Sequence, residues 1–196
     1  MDREARKEQI IRELDAESDR GCILVAASAL DDFLEELLKI ALAADQHSVK
    51  HAVIPLFEGM GPLSTFSAKI KLAYALGLIS KTDFTDLEKI RRIRNIASHK
   101  YSAMNFESQE IVEICCMLDS ADLVVQHLPP PDNKVTNKPE AGAHKPHLME
   151  RVRFTFTVGW IAARLENTSK SFEPAPRGWR SLRDGLELPG GRPSRS

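Results

Sequence analysis

Cysteine is scarce in this chain, with only Cys22, Cys115 and Cys116 among 196 residues. Three thiols cannot all pair, and none stands in the two-spacer pair that a structural zinc site uses, so neither a disulfide framework nor a zinc-held fold is indicated. They read as reduced, mostly buried thiols. Long apolar runs are missing too: nothing approaches the roughly 18 residues of a membrane span. The N-terminus, Met1 to Glu8, has charges but no apolar signal-peptide core behind them. The expectation is a cytoplasmic protein with no membrane partner. An excess of one charge is also lacking, since 27 basic side chains face 28 acidic ones for a net charge of −1. The chain as a whole therefore lacks the basic balance that holds nucleic acid through its phosphates, and any such contact must be local. What is present, 42% hydrophobic and 28% charged residues, suits one globular domain with a real core.

Helical periodicity dominates. Ile10, Ile11 and Leu14 among charges predict a short amphipathic helix over residues 3–15. Ser18 is placed to cap a longer helix over 18–44, in which Ala27, Leu30, Phe33, Leu34, Leu37, Leu38 and Ala41 recur at three and four. Asp31, Asp32, Glu35, Glu36 and Lys39 make its other face acidic. Glycines and a proline at 58–62 break the pattern, after which Ser64 can cap a helix over 64–78 that ends near Gly77. A start at Ser80-Lys81-Thr82-Asp83 opens a helix over 82–98, with basic residues gathered late at Lys89, Arg91, Arg92, Arg94, His99 and Lys100. Residues 107–127 follow as a helix through Ile111, Ile114, Cys115, Leu118 and Leu123.

Pro129-Pro130-Pro131 opens a polar stretch to Pro146 that reads as an exposed loop. A final helix is expected over 147–168, where a short alternation (Val152, Phe154, Phe156, Val158) gives way to Ala162-Ala163-Arg164-Leu165. Residues 173–196 hold five arginines, four prolines and four glycines, including Arg177, Arg180, Arg183, Arg192 and Arg195 beside Trp179. That composition predicts a flexible, mildly basic tail. The fold expected is all-α: a single helical bundle over residues 1–172 with the tail beyond it.

Three blocks carry a resemblance. Ser18-Asp19-Arg20-Gly21 leads into the acidic-faced helix, Pro62 to Ser80 runs PLSTFSAKIKLAYALGLIS, and Ile90-Arg91-Arg92-Ile93-Arg94-Asn95 precedes His99. Over about residues 10–130 the chain resembles the mannitol operon repressor family. The resemblance implies a helical fold, a homodimer and transcriptional regulation through a protein partner. No segment looks like a helix-turn-helix reader, with its glycine-containing turn and basic second helix. The spacing of Arg94, the polar Asn95 and His99 also resembles the motif of the HEPN superfamily. That likeness implies a helical, commonly dimeric, metal-independent endoribonuclease with RNA as substrate.

The chemistry of those residues stands apart from any family. RNA cleavage without a metal needs a base for the 2′-hydroxyl proton and a cation for the phosphoryl oxygens, and His99 and Arg94 are of the right types. Five residues along one straight helix set two side chains about 140° apart, so convergence needs a helix break, a second subunit, or both. The structural alternative has Asn95 and His99 finishing a helix end while Arg94 pairs with Asp31 or Glu35. Lesser candidates are His47 with His51, His144 with His147, and an anion at Asp19-Arg20-Gly21, each read first as a solvated or helix-entry feature. No cofactor and no metal are expected.

Overall fold

The computed structural model describes residues 3–43, 46–99, 105–120 and 146–172. Helices α1 (Arg3–Asp15) and α2 (Asp19–Leu42) are followed by a one-turn α3 (Gln46–Ser48), a five-residue π-helical turn (Val49–Val53) and α4 (Ile54–Phe57). Then come α5 (Phe66–Ala75), α6 (Lys81–His99), α7 (Gln109–Cys116) and α8 (Pro146–Ser171). No strand occurs among the described residues, so the fold is all-α as expected. The proline-rich 129–145 stretch, His144 and the 173–196 tail lie outside the described residues.

The long helix α2 is the axis of the bundle. Cys22, Ile23, Ala26, Leu30, Leu34, Leu37 and Leu38 are fully buried. Helix α8 lies along α2 and also carries α1 and α7, while α5 and α6 pack on α2 and on each other. Removing these apolar faces from water drives the assembly, at roughly 1.5–3 kcal/mol per fully buried aliphatic side chain. Phe106 and Phe154, with ring centroids 5.4 Å apart, close the core where the turn before α7 meets α8.

Local signals set most boundaries. The Ser18 side chain accepts the Gly21 N–H and starts α2. Asp83 and Ser80 form a reciprocal cap at the start of α6: the Ser80 hydroxyl accepts the Asp83 N–H while the Asp83 carboxylate accepts the Ser80 hydroxyl at 2.7 Å. Gly77, at φ +70°, turns the chain out of α5 as the Leu78 N–H returns to the Ala73 carbonyl.

Several boundaries differ from the sequence expectations. Helix α5 starts at Phe66 because Thr65, not Ser64, accepts the Ala68 N–H. The 107–127 helix is interrupted at Met117–Leu118. There the buried Asp86 of α6 accepts the N–H groups of Asp119 and Ser120, and Lys89 reaches the Met117 carbonyl, so a tertiary cap begins a new turn. Residues 46–57, to which the sequence reading assigns no helix, form the short helical run that buries Val53 and Phe57. The alternation at 152–158 lies inside one continuous helix, where the buried Thr155 and Thr157 hydroxyls bond back to the Arg151 and Arg153 carbonyls.

One arginine ties four segments together. Arg151 of α8 pairs with Asp19 at 2.5 Å and donates to the carbonyls of Leu14, in the last turn of α1, and Glu17, in the turn that follows it. The second Asp19 oxygen accepts the Phe106 N–H at 3.0 Å. At the start of α2, a candidate anion site in the sequence, the Ser18 side chain takes the Gly21 N–H and the Asp19 carboxylate supplies a negative charge.

Candidate functional site

Helix α2 meets α5 and α6 at an ion-locked junction. Lys69, on α5, is nearly fully buried, and its ammonium donates to Glu35 at 2.6 Å and pairs with Asp31 at 3.0 Å. Lys39 holds the other Glu35 oxygen at 2.6 Å. The Asp31 contact is an ion pair without a well-aligned hydrogen bond, whereas Glu35 receives two. Their acidities diverge accordingly. Burial raises the Asp31 carboxyl above its ordinary range, more than Lys69 lowers it. Glu35 is also pushed up by burial, but the bonds from Lys39 and Lys69 outweigh this and its pKa falls. For Lys69, burial acts downward and the bonds to Glu35 and Asp31 win, so the ammonium is held above its usual value.

This corrects the expected structural role of Arg94. Lys69, not Arg94, neutralises Asp31 and Glu35. Arg94 remains exposed on α6, where its guanidinium donates to the neighbouring Asn95 side chain at 3.3 Å. It borders a cavity of about 200 Å³ with Leu24, Ala27, Ser28, Asp31 and Phe66. Lys69 went unnoticed in the sequence because one lysine in an amphipathic helix looks like a solvated residue; only the acidic pair facing it on another helix gives it meaning.

The other members of the motif point elsewhere. Asn95 borders a separate cleft of about 430 Å³ with Phe84, Thr85, Arg91 and Arg92, next to the stacked rings of Tyr74 and Phe84. His99 is the last residue of α6 and is exposed. Because α6 runs unbroken through Ser98, whose hydroxyl bonds back to the Arg94 carbonyl at 2.8 Å, Arg94 and His99 do not converge within one chain. Of the late basic cluster, Lys89 is engaged with Asp86 and Asp119, and Arg91 with Glu88 at 2.7 Å. His47 and His51 lie with ring centroids 4.4 Å apart on the turn after α2. Among the described residues no three His, Cys, Asp or Glu side chains gather as a metal site would require. Cys22 and Cys115 are buried and Cys116 is exposed, all as free thiols.

A third cleft, of about 360 Å³, runs along the acidic side of α2 between Asp32, Glu35, Glu36, Lys39 and Ile40. Asp32 and Glu36 there are exposed. No helix among the described residues is long and apolar enough to cross a membrane.

The all-helical bundle matches two solved folds. One is the MtlR chain of the X-ray structure of the MtlR–HPr complex from Escherichia coli, at 24% identity over 82% of this chain and 98% of that one, with a TM-score of 0.62. The other is a possible transcriptional regulator, YggD, from Shigella flexneri, at 19% identity over 81% of this chain and 98% of that one, with a TM-score of 0.65. The mannitol repressor family model matches residues 6–156, and the chain belongs to that family. The mannitol operon repressor of Escherichia coli K12 is 31% identical over 116 residues, as is that of Escherichia coli O6:H1. Each match covers 57% of this chain and 55% of the relative, so the chain spans about half the length of the curated relatives it matches.

Proposed function

We propose that this chain is a transcriptional regulator of the mannitol-repressor type, acting in the cytoplasm as a homodimer and through protein contacts rather than by reading bases. The observation that carries the proposal is the exposed acidic flank of α2, with Asp32 and Glu36 beside a cleft. A surface of this sign repels phosphate backbones and attracts a basic protein partner. A related fold has been solved in complex with HPr, and an HPr-type protein is the partner proposed here. The test is size-exclusion chromatography of the chain mixed with HPr from the same source, run beside a duplex operator. A complex with the protein, lost in the double charge reversal Asp32→Lys/Glu36→Lys, supports the proposal. Tight binding of the isolated chain to the duplex, with no protein complex, overturns it.

A second reading has one observation in its favour. Arg94 and His99 are exposed, not locked into the core, which leaves them free to meet the same pair on a second subunit as a metal-independent endoribonuclease would require. Incubation with mixed RNA in EDTA tests it. Cleavage that disappears in Arg94→Ala, Asn95→Ala and His99→Ala supports the enzyme, and intact RNA with the wild type removes it.

A further inference from the structure

The cavity beside Arg94 has the makings of a small binding site. Three of its walls are apolar, Leu24 and Ala27 on α2 and Phe66 at the start of α5. Its rim is polar, with the exposed Ser28 and Arg94 and the half-buried Asp31. The charged groups lining the cavity are Asp31 and Arg94, and Asp31 is already paired with the buried Lys69 at 3.0 Å. Lys39 and Lys69 are committed to the carboxylates, so the uncompensated charge resides on Arg94. Among the described residues, one of its five N–H donors is taken up, by the Asn95 side chain. The positive end of the α5 dipole adds to the field, since α5 begins at the cavity wall.

We propose that this cavity binds a small monocarboxylate, the carboxylate forked on the Arg94 guanidinium and a short aliphatic tail against Leu24, Ala27 and Phe66. The size fits such a ligand: at about 200 Å³ the space is below the roughly 300–1,000 Å³ of pockets for drug-sized molecules. The charge selects the same class. A single free cation with a carboxylate nearby suits a monoanion, whereas a phosphate dianion carries one charge more than Arg94 neutralises and meets about twice the repulsion from Asp31. The assignment is independent of the regulatory partner, because the acidic flank bearing Asp32 and Glu36 belongs to a different cleft.

An amide-detected NMR titration of the full chain with sodium butyrate, at constant ionic strength, tests the proposal. A ligand of six heavy atoms is expected to bind with a Kd on the order of 1 mM. Shifts should centre on Ser28, Phe66 and Arg94. Arg94→Gln, a change at an exposed position whose folding is checked by circular dichroism, should weaken binding by about tenfold or more, as loss of a charge-assisted bond requires. Asp31→Asn should strengthen it by raising the local charge, while His99→Ala should leave it unchanged. Butanol and inorganic phosphate should each bind far more weakly than butyrate. Equal binding of butanol would mark a bare apolar crevice and equal binding of phosphate a general anion surface. Either result, full affinity in Arg94→Gln, or no shifts with butyrate, would overturn the proposal.

Discussion

Replacing Lys69 with methionine tests the electrostatic core of this fold most directly. Methionine keeps the length and apolar stem of the side chain but removes the ammonium, leaving Asp31 and Glu35 one helical turn apart with like charges and one partner fewer. Losing one member of a fully buried ion pair costs about 3–5 kcal/mol, while an exposed pair is worth about 0.2–1 kcal/mol. The lysine side chain here is 4% exposed and its carboxylates 29% and 27%, so the site lies between those limits. A loss of about 2 kcal/mol is expected, which for a domain of this size lowers Tm by about 4–8 °C. Lys39→Met is the control: that side chain is 37% exposed and its pair with Glu35 spans one helical turn, so it should cost only about 0.3–0.5 kcal/mol. Adding Asp31→Asn to Lys69→Met should recover part of the loss, because Glu35 keeps Lys39 whereas Asp31 loses its ion-pair partner. Urea unfolding followed by circular dichroism measures all three. If Lys69→Met cost no more than Lys39→Met, or if Asp31→Asn deepened the loss, the buried-hub account would be wrong.

Two further outcomes follow from the structure. Arg151→Ala removes the Asp19 pair and the donors to Leu14 and Glu17, and should cost about 3 kcal/mol; Arg151→Lys should recover little, because one ammonium cannot reproduce the forked contacts. Limited proteolysis should then cut first around the α1–α2 turn. Alkaline pH should destabilise the protein through its buried thiols. Burial raises Cys22 to about 11 and Cys115 to about 12, from an ordinary 9.0. Above pH 9 the unfolded chain releases these protons first, so stability is complete below that pH and falls by about 1.4 kcal/mol per pH unit per thiol as pH rises toward the folded values. Cys22→Ala should flatten the decline seen in urea titrations between pH 9 and 11, and an unchanged slope would show that the thiol is not linked to unfolding.

The fold was largely legible because its causes are local. Apolar residues at three and four marked α2 and α6, length and the Ala162-Ala163-Arg164-Leu165 continuation marked α8, and Ser18, Ser80 and Gly77 stood where the chain starts or leaves helices. The break in α7 was not legible, since Ile111 through Leu123 keeps its period and the interruption comes from Asp86 and Lys89, some thirty residues away. The motif at Arg94, Asn95 and His99 was legible as a set of residue types but not as a site. Adjacent positions on a helix face different ways, and the tertiary packing gave Arg94 and Asn95 separate clefts.

By itself the sequence determined an all-helical chain with an acidic α2 face, a late basic cluster on α6 and a family resemblance, because periodicity, caps and residue order are properties of neighbours along the chain. Only the tertiary structure decided which charges meet. It set Lys69 across from Asp31 and Glu35, more than thirty positions distant, and so left Arg94 exposed beside an apolar cavity. The energy of an ion pair depends on distance and burial in space, and neither is written in the order of residues.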